Sequence, residues 1–135
     1  MRFLCAEDNE LNAEILTELL KIEGAECTIC ENGKKLVETF GQSVPGEYDM
    51  ILMDVQMPVM NGYEATKAIR RSSHKLAKTI PIIAMTANAF SEDIQHSFAA
   101  GMNAHVSKPV EMKVLEKTIR SIKSGGGTEP QVIEQ

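Results

Sequence analysis

Met50-Ile51-Leu52-Met53-Asp54 runs directly into Val55-Gln56-Met57-Pro58-Val59-Met60-Asn61-Gly62. The first four residues are an unbroken apolar run of strand length, introduced by the turn-rich Ser43-Val44-Pro45-Gly46-Glu47. Continuous apolarity, rather than alternation, suits a strand covered on both faces. An acid stands where the run stops. The following segment can neither extend the strand nor open a helix before its end, so it reads as a loop. Three other runs stop in the same way: Phe3-Leu4-Cys5-Ala6 at Glu7-Asp8, Ile82-Ile83-Ala84-Met85 at Thr86, and His105-Val106-Ser107 at Lys108-Pro109.

Between these runs the apolar period changes from strand to helix. Leu11, Ile15, Leu16, Leu19, Leu20 and Ile22 form a helical stripe, with Asn9 as its cap and Gly24 as its stop. Further helices are expected near Lys34 to Phe40, ending at Gly41, and over Tyr63 to Arg71. Two more are expected after Ser91-Glu92-Asp93, ending at Gly101, and over Glu111 to Lys123. A short, more polar strand is expected at Glu26 to Cys30, and another at Ala104 to Ser107.

Strands alternating with helices require right-handed crossovers and a parallel sheet with helices on both faces. The three most apolar strands belong at the centre and the two more polar ones at the edges. The expected fold is therefore α/β, a doubly wound five-stranded parallel sheet of order 2-1-3-4-5 and flavodoxin-like. Its ligand crevice lies at the carboxyl ends of the first and third strands. Residues 1–123 make up this domain. Residues 124–135, opening with Ser124-Gly125-Gly126-Gly127, lack apolar periodicity and are expected to be a flexible tail or linker.

The fold brings Glu7, Asp8 and Asp54 to one crevice, where carboxylates repel unless a cation lies between them. All-oxygen ligands favour a hard divalent ion, magnesium above others, with the carbonyl of Gln56 as a further ligand. Asp54 is placed to attack phosphorus and form an acyl phosphate. Lys108 is a point charge suited first to Asp54 and then to phosphoryl oxygens. Thr86 can donate a hydrogen bond to the same group.

Taken together, Cys5-Ala6-Glu7-Asp8-Asn9, Ile51 through Gly62, Met85-Thr86-Ala87-Asn88-Ala89 and Ser107-Lys108-Pro109 resemble the receiver domain of two-component response regulators. The resemblance spans about Met1 to Lys123. It implies that Glu7 and Asp8 hold magnesium, that Asp54 accepts phosphate from a phosphohistidine, and that Thr86 and Lys108 bind the phosphoryl group. It also implies a switch in which movement of Thr86 is coupled to rotation of an aromatic residue on the fifth strand. This chain has His105 there. Glu7 stands where the family more often has Asp. Gln56 and Asn88, each two residues past a site residue, are expected to tune autodephosphorylation. Met57, Pro58, Met60 and Phe90 are candidates for a partner surface, with packing as the plainer role for each. His74 and His96 are read as surface residues.

The stretch Gly101 through Val110, with Ala6-Glu7-Asp8-Asn9, looks most like receivers attached to hybrid sensor histidine kinases. A histidine kinase or histidine phosphotransfer domain is the implied partner, and a stand-alone regulator is the alternative. A haloacid-dehalogenase-like phosphatase also uses a strand-end Asp and magnesium, but it wants a second acid at the position of Gln56. A flavin-binding domain is opposed by the acidic Glu7-Asp8-Asn9-Glu10.

The remaining composition narrows the classes. The 135 residues are 43% hydrophobic and 24% charged, which fits one soluble globular domain. A net charge of -5 gives no general attraction for nucleic acid. No apolar run approaches the ~18 residues that span a bilayer, and Met1-Arg2 opens no signal peptide, so a cytoplasmic location is expected. No effector domain is expected after the last helix. Cys27-Thr28-Ile29-Cys30 has metal-like spacing, but sulfurs three apart on a strand point to opposite faces. Cys5, Cys27 and Cys30 are therefore read as reduced thiols.

Overall fold

In a computed structural model, residues 1–57, 59–87, 91–108, 110–123 and 131–133 are described. Strands β1 (Arg2–Ala6), β2 (Glu26–Cys30), β3 (Met50–Asp54), β4 (Ile82–Thr86) and β5 (Ala104–Ser107) alternate with helices. These are α1 (Glu10–Ile22), α2 (Gly33–Gln42), α3 (Gly62–Arg71), α4 (Ser91–Ala100) and α5 (Met112–Lys123). The pairing is parallel throughout, in the order β2-β1-β3-β4-β5, as the hydrophobic runs require.

One feature departs from the expectation. Gln131–Ile133, inside the stretch expected as a tail, forms a sixth strand β6 that pairs in parallel with β5. Val132 and Ile133 are a pair of β-branched residues too short to register as a periodic signal beside the glycines. β5 is consequently an interior strand, which accords with the burial of Ala104, His105 and Val106.

Every residue of β3 and β4 is buried, whereas β2 buries only Cys30. Side chains alternate across the sheet into two cores. Leu4, Ile51, Met53, Ile82 and Ala84 meet Leu36, Phe40 and Ile69 on one face. Phe3, Cys5, Leu52, Ile83 and Met85 meet Leu16, Leu20 and Leu115 on the other. Burial of this apolar surface, at about 25 cal/mol per Å², is the main force holding helices to sheet.

Asparagines set the entry of the first three helices. Asn9, Asn32 and Asn61 each accept a hydrogen bond from the backbone N–H three residues on, at 2.8 to 3.0 Å. Gly24 ends α1 and Gly101 follows α4, both with positive φ. Gly41 does not stop α2, which runs one residue further to Gln42. Among the described residues, no helix is long and apolar enough to cross a membrane.

Candidate functional site

β1, β3, β4 and β5 all point their carboxyl ends to one edge, and the register sets their depth. Ala6 pairs with Met53, Asp54 with Met85, and Thr86 with Ser107. Glu7, Asp54, Thr86 and Lys108 therefore arrive at one level from four strands. They line a cleft of about 190 Å³ together with Asp8, Asn9, Asn12, Gln56 and Ala87.

The backbone fixes each side chain. The Glu7 N–H donates to Cys30 O at 3.0 Å, extending the β1–β2 ladder by one residue. The Asn9 N–H donates to Glu7 Oε2 at 3.2 Å, so the start of α1 grips the carboxylate. Lys108 N–H donates to Thr86 O at 2.8 Å, tying the ends of β4 and β5 together. Beyond Asp54 the chain closes on itself, with the Gly62 N–H donating to Val55 O at 2.9 Å. A Cβ on Gly62 would collide with the Asp54 carbonyl, so only glycine lets α3 begin this close to the end of β3. Asn61-Gly62 is thus a support for Asp54, a role that reading it only as a loop ending missed.

Lys108 is the electrostatic pivot. Its Nζ lies 2.7 Å from Asp54 Oδ2 and 3.1 Å from Glu7 Oε1, and both carboxylates are almost fully buried. Burial works against the ammonium, but its hydrogen bonds to Asp54 and Glu7 outweigh this and raise the Lys108 pKa. For Asp54, burial and the Glu7 carboxyl overcome Lys108, and the acid is pushed up to about 6. Burial also pushes Glu7 up, but hydrogen bonds with Asp54, Lys108 and the Asn9 N–H reverse this and leave it lowered. The two acids share one site and titrate as a pair.

Asp8 is the exposed third acid. Carboxylate oxygens of Glu7, Asp8 and Asp54 lie within 4.8 Å of one another, a spacing suited to a shared metal ion. The donor set is all oxygen, which fits a hard cation.

Thr86 is buried at the end of β4. Gln56 is exposed at the cleft wall. His105 is buried on β5, on the same sheet face as Thr86. Met57 and Met60 pack against the core as loop ballast. Asn88, Phe90, Pro58 and Pro109 lie outside the described residues. His96 is exposed and touches the Tyr63 ring. His74 is more than a surface residue: it stacks on Phe40 at 4.2 Å, and its Nδ1 accepts from the Leu76 N–H at 3.0 Å.

A family model described as the response regulator receiver domain matches residues 3–120. The chain belongs to that family. This receiver domain is 38% identical over 122 residues to hybrid signal transduction histidine kinase I of Dictyostelium discoideum, covering 89% of the chain but 7% of that protein. It is 34% identical to the sensor protein GacS of Pseudomonas syringae pv. syringae, covering 87% of the chain and 13% of that protein. The chain therefore spans only a small fraction of the curated relatives it matches. Among solved structures, the receiver domain of sensor histidine kinase PA1611 from Pseudomonas aeruginosa has a TM-score of 0.78 at 34% identity. That likeness covers 88% of this chain and 93% of the other, which carries a magnesium ion in its active-site cleft. The receiver domain of Ssk1 from Saccharomyces cerevisiae, crystallised with the histidine phosphotransfer protein Ypd1, has a TM-score of 0.76 at 28% identity, covering 90% and 87%. The protein is a receiver domain of two-component or phosphorelay signalling, homologous to the receivers of hybrid histidine kinases.

Proposed function

We infer that Asp54 is the phosphoacceptor of this domain, taking a phosphoryl group from a phosphohistidine. The observation that carries the reading is the Lys108 ammonium bridging two buried acids, Asp54 and Glu7, with Asp8 beside them. A carboxylate oxygen of Asp54 forms the new O–P bond as the P–N bond of the donor breaks, and the donor imidazole leaves with the electron pair and takes up a proton. Lys108 neutralises the anionic nucleophile and then follows the charge to the phosphoryl oxygens. The Thr86 hydroxyl donates to one of those oxygens. Magnesium held by Glu7, Asp8, Asp54 and the Gln56 carbonyl would supply positive charge between nucleophile and phosphoryl group. Gln56 flanks the product and governs water access to it, and His105 follows Thr86 as the partner of the switch.

The donor side is supported by the surface next to the cleft. Ile15, Leu16 and Leu19 of α1 and Val110 line an apolar groove that ends at Glu7 and Lys108. Leu11 and Ile15 are exposed beside it. Such a groove suits a helix presenting a phosphohistidine, as in a histidine kinase or histidine phosphotransfer domain. The relatives favour a place within a hybrid histidine kinase over a stand-alone regulator, and a cytoplasmic location is part of this reading.

The test is intact mass after incubation with acetyl phosphate, with and without magnesium. One added phosphoryl group is expected with metal, none without it, and none in Asp54→Asn. An unmodified wild-type protein after prolonged exposure with magnesium would overturn the reading, and sustained turnover of a generic phosphate ester would favour a phosphatase instead.

A further inference from the structure

The sequence presents Cys27 and Cys30 as the conspicuous thiol pair, but the fold separates them. Cys30 belongs to the core on one side of the sheet and Cys27 packs on the other. Parallel pairing of β1 with β2 sets Phe3 opposite Cys27 and Cys5 opposite Ile29. Cys5 and Cys27 are thus diagonal neighbours on one face, with their sulfurs 2.9 Å apart. Cys5 is buried and Cys27 is half-exposed. Nothing in the phosphoacceptor chemistry uses either.

We propose that Cys5 and Cys27 form a reversible redox site, in which Cys27 is oxidised by a peroxide and Cys5 resolves it to an intramolecular disulfide. The two thiols divide the roles by position. Cys27 lies on the edge strand β2, beside Thr17 of α1, where a small oxidant can reach it. The contact with Cys5 and the Thr17 hydroxyl lowers its pKa against the effect of burial. Cys5 is screened from solvent within the core, and its sulfur lies against that of Cys27.

In the first step the Cys27 sulfur attacks one peroxide oxygen. An S–O bond forms, the O–O bond breaks, and the second oxygen leaves as water or an alcohol with the thiol proton. Sulfur is oxidised to the sulfenic acid and the peroxide is reduced. In the second step the Cys5 sulfur attacks the Cys27 sulfur, an S–S bond forms, and the hydroxyl leaves as water with the Cys5 proton. Closure to a bond of about 2.05 Å asks for a small approach of the two strands. β2 can supply it, because it is paired on one side only. The product ties the edge strand to β1, whose end carries Glu7 and Asp8, and a thiol reductant reverses it. Such transient disulfides are the kind expected in a reducing compartment.

The test treats the whole native chain with hydrogen peroxide, followed by thiol counting under denaturing conditions, intact mass and peptide mapping. The expected result is loss of two of the three thiols, a mass lower by two hydrogens, and a peptide cross-link joining Cys5 to Cys27, all restored by reductant. Cys30→Ala should behave as wild type, and Cys27→Ser should lose the reaction. Wild-type protein whose Cys5 stays free while Cys27 advances to sulfinic acid would overturn the proposal. So would a Cys27–Cys30 link, or disulfide-joined dimers in place of the internal bond. The mapping of wild-type protein decides these outcomes even where a substituted chain folds poorly.

Discussion

The Lys108 ammonium stands 2.7 Å from Oδ2 of Asp54, at the meeting of two strands that are not themselves paired. β4 lies between them, so the ion pair spans the central strand and closes the floor of the cleft. Replacing Lys108 with Met would leave two buried carboxyls facing each other without a cation. We expect a loss of about 2 kcal/mol in metal-free buffer, less than for a fully buried pair because the ammonium is partly exposed. Magnesium should recover part of it. Urea unfolding in EDTA and in millimolar magnesium measures both, and equal losses in the two buffers would contradict the shared-cation account.

Asp54 predicts a pH signature with a definite sign. Its folded pKa, about 6, lies above the ordinary 3.8, so the folded state holds the proton more tightly than the unfolded chain does. That contribution is fully present below the ordinary value and is lost as pH rises through about 6. Asp54→Asn is neutral at every pH and escapes the loss. In EDTA its stability relative to wild type should climb by about 3 kcal/mol between pH 4 and 6.5 and then level off. A difference that stays flat across this range would show that burial and Glu7 do not strain the acid.

The hydrophobic runs made most of this architecture legible, because a strand buried on both faces leaves an uninterrupted apolar word such as Met50 to Met53. Their end residues then named the cleft, since parallel strands share an edge. Less visible were features that depend on contacts between distant elements. The Cys5–Cys27 approach is set by the register of β1 on β2, which no local spacing encodes. His74 looks like a solvated residue until Phe40 is seen beneath it. β6 rests on three residues whose partner strand lies more than twenty positions away.

Arg70 is another such residue, an ordinary helix-end cation by sequence. Its guanidinium donates to Gly101 O from Nε and Nη2, to Ala77 O and Ile80 O from Nη1, and to Asn103 Oδ1 from Nη2. It thereby joins α3 to the loops that lead into β4 and β5. Arg70→Ala should cost about 3 kcal/mol, because several half-buried carbonyls lose their donors together. Arg70→Lys should rescue little of it, since one ammonium cannot reproduce the planar fork. Thermal unfolding of the two variants tests this, and full rescue by Lys would show that charge alone matters.

Val59 carries a φ of 71°, in the left-handed region that a β-branched residue rarely occupies, and its side chain is exposed. Asparagine tolerates this conformation and loses no packing there. Val59→Asn should stabilise the domain by about 1 kcal/mol. Denaturant midpoints decide it, and a destabilised variant would mean that the Val59 side chain contributes contacts worth more than the strain.

The central claim is that Asp54 becomes the acyl phosphate. Borohydride reduction of protein phosphorylated by acetyl phosphate in magnesium converts an aspartyl phosphate to homoserine, and mass spectrometry of the peptides then locates it. The account predicts conversion at residue 54 alone, with Asp8 and Glu7 unchanged. Homoserine at position 8, or phosphate on Thr86 or a histidine with residue 54 intact, would contradict it.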